Sequence, residues 1–214
     1  MKTLFEPEIC SKLAFLLFSS KKYKVTYGGR GAQKSYANAD TVLAKMIERK
    51  RVVAACREFH TTIKDSIHRL LMSRIAYYKL DKYFIVTNNS IICTNGSELT
   101  YHHLHNNITE VKGLEGVDLC WIFEAQNVSD ESWDILIPTI RKEGSEFLIE
   151  FNPDYEDDPT YQRFVVHPPE DSEIVKINYY ENPWCPDTLK QEAASCKVRD
   201  MHAYRHIWLG KFVG

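Results

Sequence analysis

The chain has 214 residues, 44% of them hydrophobic and 26% charged, with a formal net charge of −2 at pH 7. That composition excludes an intrinsically disordered chain and suits one large α/β domain, or one and a half small ones. The near-neutral balance excludes a globally basic nucleic-acid binder and leaves only local runs, such as Lys21, Lys22 and Lys24 or Arg49, Lys50 and Arg51, which read as solvated surface. The six cysteines form no C-x-x-C pair, and Cys56 and Cys120 fall inside apolar runs, so reduced, buried thiols are expected.

The apolar stretch from Leu13 to Phe18 is too short for a membrane span and lacks a cleavage pattern, so a protein of the cytoplasm, neither secreted nor bound to a membrane, is expected. Ile9, Leu13, Leu16 and Leu17 predict a short amphipathic helix within residues 8–20, and residues 1–22 are read as a segment packed on the domain that follows.

The next stretch, Lys24 to Ser35, reads as strand, glycine-rich loop and helix start, an order suited to holding phosphates. Gly28, Gly29 and Gly31 let backbone N–H groups approach an anion, Lys34 reaches the outer phosphates, and the Ser35 hydroxyl suits Mg²⁺. Gln33 stands where the rule GxxxxGK[ST] asks for glycine. Ala39, Val42, Leu43, Met46 and Ile47 then form the single stripe of a helix on a sheet, ended by the charged run from Glu48 to Arg51.

Val52 to Cys56 has the continuous apolar character of a parallel strand covered on both faces, with Arg57 at its carboxyl end. A second helical stripe runs through Ile63, Ile67, Leu70, Leu71 and Ile75. Residues 83–101, with Asn88-Asn89 and Asn95-Gly96 between short apolar runs, predict an antiparallel hairpin extension. His103 and His105 could share a strand face as metal ligands, but no Cys or carboxylate lies nearby at ligand spacing, and they read as surface histidines.

Leu119 to Phe123 is a further buried strand ending in Glu124, where nucleotide hydrolases place an acid for Mg²⁺ or the attacking water. Ser129 reads as an N-cap for a helix carrying Trp133, Leu136 and Ile140, shortened by Pro138. Phe147 to Phe151 forms a strand that leaves Asn152 at its end before Pro153. A strand at residues 174–178 and a helical tail through Leu189, Tyr204, Ile207 and Trp208 complete the chain. Arg57, Glu124, Asn152 and the loop all fall at carboxyl ends of strands, where open α/β sheets bind ligands.

Tyr27-Gly28-Gly29-Arg30-Gly31 with Lys34-Ser35, then Cys56-Arg57-Glu58-Phe59, Gly113 to Asp118, Ser132 to Lys142, Phe151-Asn152-Pro153, Thr160 to Phe164 and Tyr204 to Gly210 together resemble the large terminase subunit of tailed bacteriophages. The resemblance implies a P-loop NTPase of the additional-strand type over residues 23–214, binding ATP and Mg²⁺ and coupling hydrolysis to movement of double-stranded viral DNA into a procapsid. By it, residues 28–35, Ala32 and Gln33 included, cradle the nucleotide; Lys34 and Arg30 act on the phosphates. Ser35 and Glu124 serve Mg²⁺, with Glu124 activating water, and Asn152 and Arg57 are coupling or sensor residues. It further implies a homo-oligomeric ring in the bacterial host cytoplasm, with a small terminase subunit and a portal protein as partners.

The chain departs from that pattern around one pocket: Phe123 replaces the first of two acids, Gln33 replaces a small residue, and Glu150 replaces the Ser or Thr before Phe-Asn-Pro. Slow or metal-hungry hydrolysis is therefore expected, and the alternative is a nucleotide-binding remnant acting as an interaction module. The nuclease domain of large terminases is expected to be absent from these residues, which show no carboxylate cluster, so no nuclease activity is expected.

Overall fold

Apolar runs of strand length need cover on both faces, and here they form the middle of one eight-stranded sheet. The structure is a computed structural model that describes residues 5–59, 63–105 and 107–213. Its strands are β1 (Tyr23–Tyr27), β2 (Val52–Arg57), β3 (Phe84–Val86), β4 (Ser90–Cys93), β5 (Glu98–His103), β6 (Leu119–Ile122), β7 (Glu146–Phe151) and β8 (Ser172–Lys176). They lie in the order β3-β4-β5-β2-β6-β7-β1-β8, parallel from β5 to β8, with β3 and β4 antiparallel at one edge. β7 stands between β1, which carries the glycine loop, and β6, which leads to Glu124; this is the additional strand.

The helices are α1 (Phe15–Phe18), α2 (Lys34–Glu48), α3 (Ile63–Tyr77), α4 (Ile108–Lys112), α5 (Asp130–Thr139), α6 (Pro159–Tyr161), α7 (Asp187–Arg199) and α8 (Met201–Leu209). On one face of the sheet, Val42, Leu43 and Met46 of α2 and Leu71 and Ile75 of α3 pack over Trp121, Phe123 and Leu148. On the other, Trp133 and Leu136 of α5 and Phe164 pack over Val25, Ile122 and Ile149. Successive residues of a strand thus feed opposite core layers. Of the predicted α3 stripe, the side chain of Ile63 lies outside the described residues.

Three expectations shift. The predicted helix within residues 8–20 is a 3-10 turn (Ser11–Leu13) followed by the four residues of α1, although Cys10, Leu13 and Leu16 are buried against α2 as a packed segment requires. The last strand spans Ser172–Lys176, and Ile177 is a buried residue of the turn that follows it. The helical tail is two helices, because Asp200 takes an extended backbone and its Oδ1 accepts from the Ala203 N–H at 2.9 Å, capping α8. All six cysteines are free and buried.

Candidate functional site

The loop after β1 is pressed against the end of the chain. A Cβ on Gly28 (φ +140) would lie 1.9 Å from the Ile177 carbonyl oxygen, and one on Gly29 2.1 Å from that of Trp208, so both positions require glycine. Their N–H groups are used internally: Gly28 donates to the Phe151 carbonyl at 3.3 Å and Gly29 to Asn178 Oδ1 at 3.0 Å, while the Arg30 N–H donates to the Ile207 carbonyl at 2.8 Å. From Gly31 to Ser35, among the described residues, no backbone N–H has an acceptor in the protein. Five successive free donors at the mouth of α2, at the positive end of its dipole, make an anion nest.

Gln33 sits in the left-handed region (φ 69), which is why the phosphate-loop rule asks for glycine there. Its amide gives a local reason for the exception. Gln33 Nε2 donates to the Glu8 carbonyl and Gln33 Oε1 accepts from the Cys10 N–H at 3.0 Å, clasping the N-terminal segment to the loop.

Lys34 is buried, and its ammonium donates to the carbonyls of Gly28 (3.0 Å) and Gly29 (2.8 Å). Burial lowers its pKa to about 8 against the opposing pull of Glu150. Glu150 is only 4% exposed; its carboxylate accepts from Asn38 Nδ2 at 2.6 Å, with the Ser35 hydroxyl on the same cavity wall. Burial raises the Glu150 carboxyl above the usual carboxylate range despite Asn38 and Lys34.

A cavity of about 760 Å³ opens over the loop, walled by Arg30 to Ser35, Glu124, Glu150 and Asn152 together with Tyr36, Arg74, Tyr77 and Trp184. The exposed Arg30, the half-buried Ser35 and Asn152 and the buried Lys34 therefore line one cavity. Gly28 and Gly29 do not reach the wall; they shape the loop and hold Lys34. Arg57 does not reach it either, but its guanidinium is ion-paired with the Glu124 carboxylate. Glu124 is left-handed (φ 49), a strained conformation of the sort that persists at functional sites. Phe123 does not line the cavity; it is packed in the core beside α2, 2% exposed, with the Arg57 guanidinium 5.9 Å from its ring centre.

The residues fit a magnesium ion. Hydroxyl and carboxylate oxygens of Ser35, Glu124 and Glu150 share the cavity, and Asn38 Oδ1 is buried with no donor among the described residues. His103 and His105 lie elsewhere: His103 at the end of β5 beside Asn107, and His105 beside Phe59 with its Nδ1 3.7 Å from Glu58 Oε1.

Sequence reasoning missed the wall formed by α3. Arg74 pairs with Asp40 through two bonds of 2.7 and 2.8 Å and stacks 4.6 Å from the Tyr77 ring and 5.2 Å from that of Tyr36. No local spacing announces contacts between residues so far apart in sequence.

Residues 20–211 match the family described as phage terminase large subunit. The PBSX phage terminase large subunit of Bacillus subtilis (strain 168) is 26% identical over 216 residues, covering 89% of this chain and 49% of that protein, so the chain spans about half the length of this curated relative. The large terminase of the thermophilic bacteriophage D6E superposes with a TM-score of 0.76 at 10% identity, covering 95% of this chain and 53% of that one. Its complex with ATP-gamma-S gives 0.68 at 10% identity, covering 92% and 51%. The ATPase domain of the Thermus phage P74-26 large terminase gives 0.65 at 13% identity, covering 96% of this chain and 94% of that one. These likenesses fix the fold as that of terminase ATPase domains, and the match across nearly the whole sequence places the chain in the phage terminase large subunit family.

Proposed function

We propose that this chain is the ATP-hydrolysing motor part of a phage DNA-packaging terminase. The observation that carries the reading is the run of free N–H groups from Gly31 to Ser35 facing a cavity that also holds Lys34, Glu124 and Asn152. Those donors and Lys34 bind the β- and γ-phosphates, Arg30 reaches the γ-phosphate from the loop, and Tyr36, Tyr77 and Trp184 offer faces to the base. Ser35 would hold a Mg²⁺ ion, which when bound would supply positive charge against the phosphate oxygens. Glu124 orients and deprotonates the attacking water, and Arg57, its ion-pair partner, sets where that carboxylate points. Asn152, at the end of the strand beside the loop, reports the state of the γ-phosphate to the parts that grip DNA. The D6E relative solved with ATP-gamma-S supports the choice of nucleotide.

Family membership supports the wider setting: a homo-oligomeric ring acting on double-stranded viral DNA with a small terminase subunit and a portal protein, in the host cytoplasm. No helix among the described residues is long and apolar enough to cross a membrane. We assign no nucleolytic step to these residues; Mn²⁺-dependent nicking of plasmid DNA by this chain would overturn that.

The test is to titrate ATP and follow phosphate release with Mg²⁺ for the wild type, Lys34→Ala and Glu124→Ala. Lys34→Ala is expected to lose nucleotide affinity, and Glu124→Ala to keep affinity while losing turnover by about a thousandfold. A second reading, a module that binds nucleotide with little turnover, rests on the burial of Phe123 at the family's first acid position. Binding without phosphate release in the wild type would select it.

A further inference from the structure

We propose that Glu150 of β7 serves as the metal-directed acid of this chain, one strand closer to the glycine loop than the position Phe123 occupies. The inference rests on reading the loop as an ATP and Mg²⁺ site. Three observations carry it beyond that reading.

The first is register. β6 and β7 pair in parallel with Ile122 level with Ile149, so Phe123 and Glu150 are the next level pair. Phe123 continues the Trp121 side of its strand and Glu150 the Leu148 side, and Trp121, Phe123 and Leu148 all pack beneath α2. Neighbouring strands lie about 4.8 Å apart. An acid lost from the end of β6 therefore reappears on the adjacent strand, on the same face and at the same height.

The second is contact. Glu150 shares the cavity wall with Ser35, whose hydroxyl this reading assigns to the ion, and with Lys34 and Glu124. Asn38 Nδ2, at 2.6 Å, fixes the carboxylate from the second turn of α2 while also donating to the Lys34 carbonyl at 3.0 Å. A carboxylate oriented by a side-chain amide on the wall that carries the ligand hydroxyl is arranged to hold water molecules of a hydrated dication.

The third is charge. Glu150 is buried and, among the described residues, forms no ion pair, while Glu124 brings a second carboxylate to the same cavity. A buried carboxylate so thinly compensated is costly unless a further positive charge arrives. A dication at Ser35 supplies it. The Glu150 substitution and the Phe123 substitution are then one change: the acid moved, and an aromatic side chain filled the space it left in the core.

The experiment measures Mn²⁺ binding to the nucleotide complex by electron paramagnetic resonance, in the presence of ATP-gamma-S, for the wild type, Glu150→Gln and the double variant Glu150→Ser/Phe123→Glu. Glu150→Gln keeps shape and is expected to weaken Mn²⁺ by ten- to a hundredfold, with metal-free nucleotide binding unchanged or tighter. The double variant returns the acid to β6 and is expected to recover Mn²⁺ affinity to within about threefold of the wild type. An unchanged Mn²⁺ affinity in Glu150→Gln would overturn the proposal. If that variant does not fold, the folded double variant decides: recovery supports the relocated acid and no recovery refutes it. A wild type that binds no nucleotide fails the underlying site reading instead, so the two failures are distinct.

Discussion

Two glutamates on the same face of β7, two pleat repeats apart with Leu148 between them, are treated in opposite ways. Glu146, at the amino end, is surrounded by cations: Lys24 bonds it, Lys45 reaches both its oxygens at 2.9 and 3.0 Å, and Arg51 Nη1 lies 3.5 Å from Oε1. Burial would raise its pKa, yet Lys45 and Lys24 outweigh burial and hold it below the usual value. Glu150, at the carboxyl end, has Lys34 alone and is raised. The amino end of the sheet is closed by the protein's own charges. The carboxyl end is left short of positive charge where a ligand bearing a dication would complete it.

The sharpest way to break that contrast is to remove the cation at each end. Lys34→Ala should abolish phosphate release to within background, a loss on the order of a hundred- to a thousandfold, because a buried donor to the transferring group goes. Lys45→Ala, at the structural end, should leave ATP affinity and turnover per folded molecule within about twofold and act on stability instead. A turnover loss in Lys45→Ala matching that of Lys34→Ala, with the protein folded, would show that the two ends are not separate.

Next in size is Glu146→Gln. It leaves Lys24 fully buried and Lys45 nearly so without their carboxylate, and unpaired buried charge costs about 3–5 kcal/mol. Urea denaturation should show the loss, with Mn²⁺ affinity of the nucleotide complex unchanged, the reverse of what Glu150→Gln is expected to do. The pH dependence follows the sign of the shift. Glu146 is lower in the folded than in the unfolded chain, whose reference is 4.5, so its contribution is present above that value and is lost as pH falls through the folded value. The gap in unfolding free energy between wild type and Glu146→Gln should therefore be constant at neutral pH and narrow below about pH 4.5. A gap that stays constant down to acid unfolding would remove Glu146 from the account.

How much of this could be read from the residues follows from range. The glycine loop, the strands Val52–Cys56 and Leu119–Phe123, and the Ser129 cap are local patterns, and each is found where its spacing puts it. Glu150 is visible in sequence only as an unexpected charge before Asn152-Pro153. Its meaning depends on β7 lying beside β6 in a register that levels it with Phe123, and no spacing along the chain states that register. The same holds for the Asp40–Arg74 pair and for the Asp200 cap, a stop without glycine or proline. Gly28 and Gly29, read as glycines that bare their N–H groups to an anion, spend those groups inside the protein and make room for residues far along the chain, Ile177 and Trp208.

The smallest expected effect concerns Gln33, where the open end of the site meets the N-terminal segment. A left-handed residue with a Cβ costs about 1–2 kcal/mol, and two hydrogen bonds to the backbone of Glu8 and Cys10 offset it at about 1 kcal/mol each. Gln33→Ala keeps the strain and loses both bonds, so it should destabilise by about 2 kcal/mol. Gln33→Gly loses the bonds and the strain together, and should lie about 1 kcal/mol closer to the wild type once the greater freedom of glycine in the unfolded chain is counted. Urea midpoints at unchanged slope measure both. The order wild type, Gly, Ala is the diagnostic: equal values for Ala and Gly would remove the strain, and an Ala variant as stable as the wild type would remove the clasp. Because the clasp holds residues 8–10 against the loop, both variants should also speed protease cleavage in that segment.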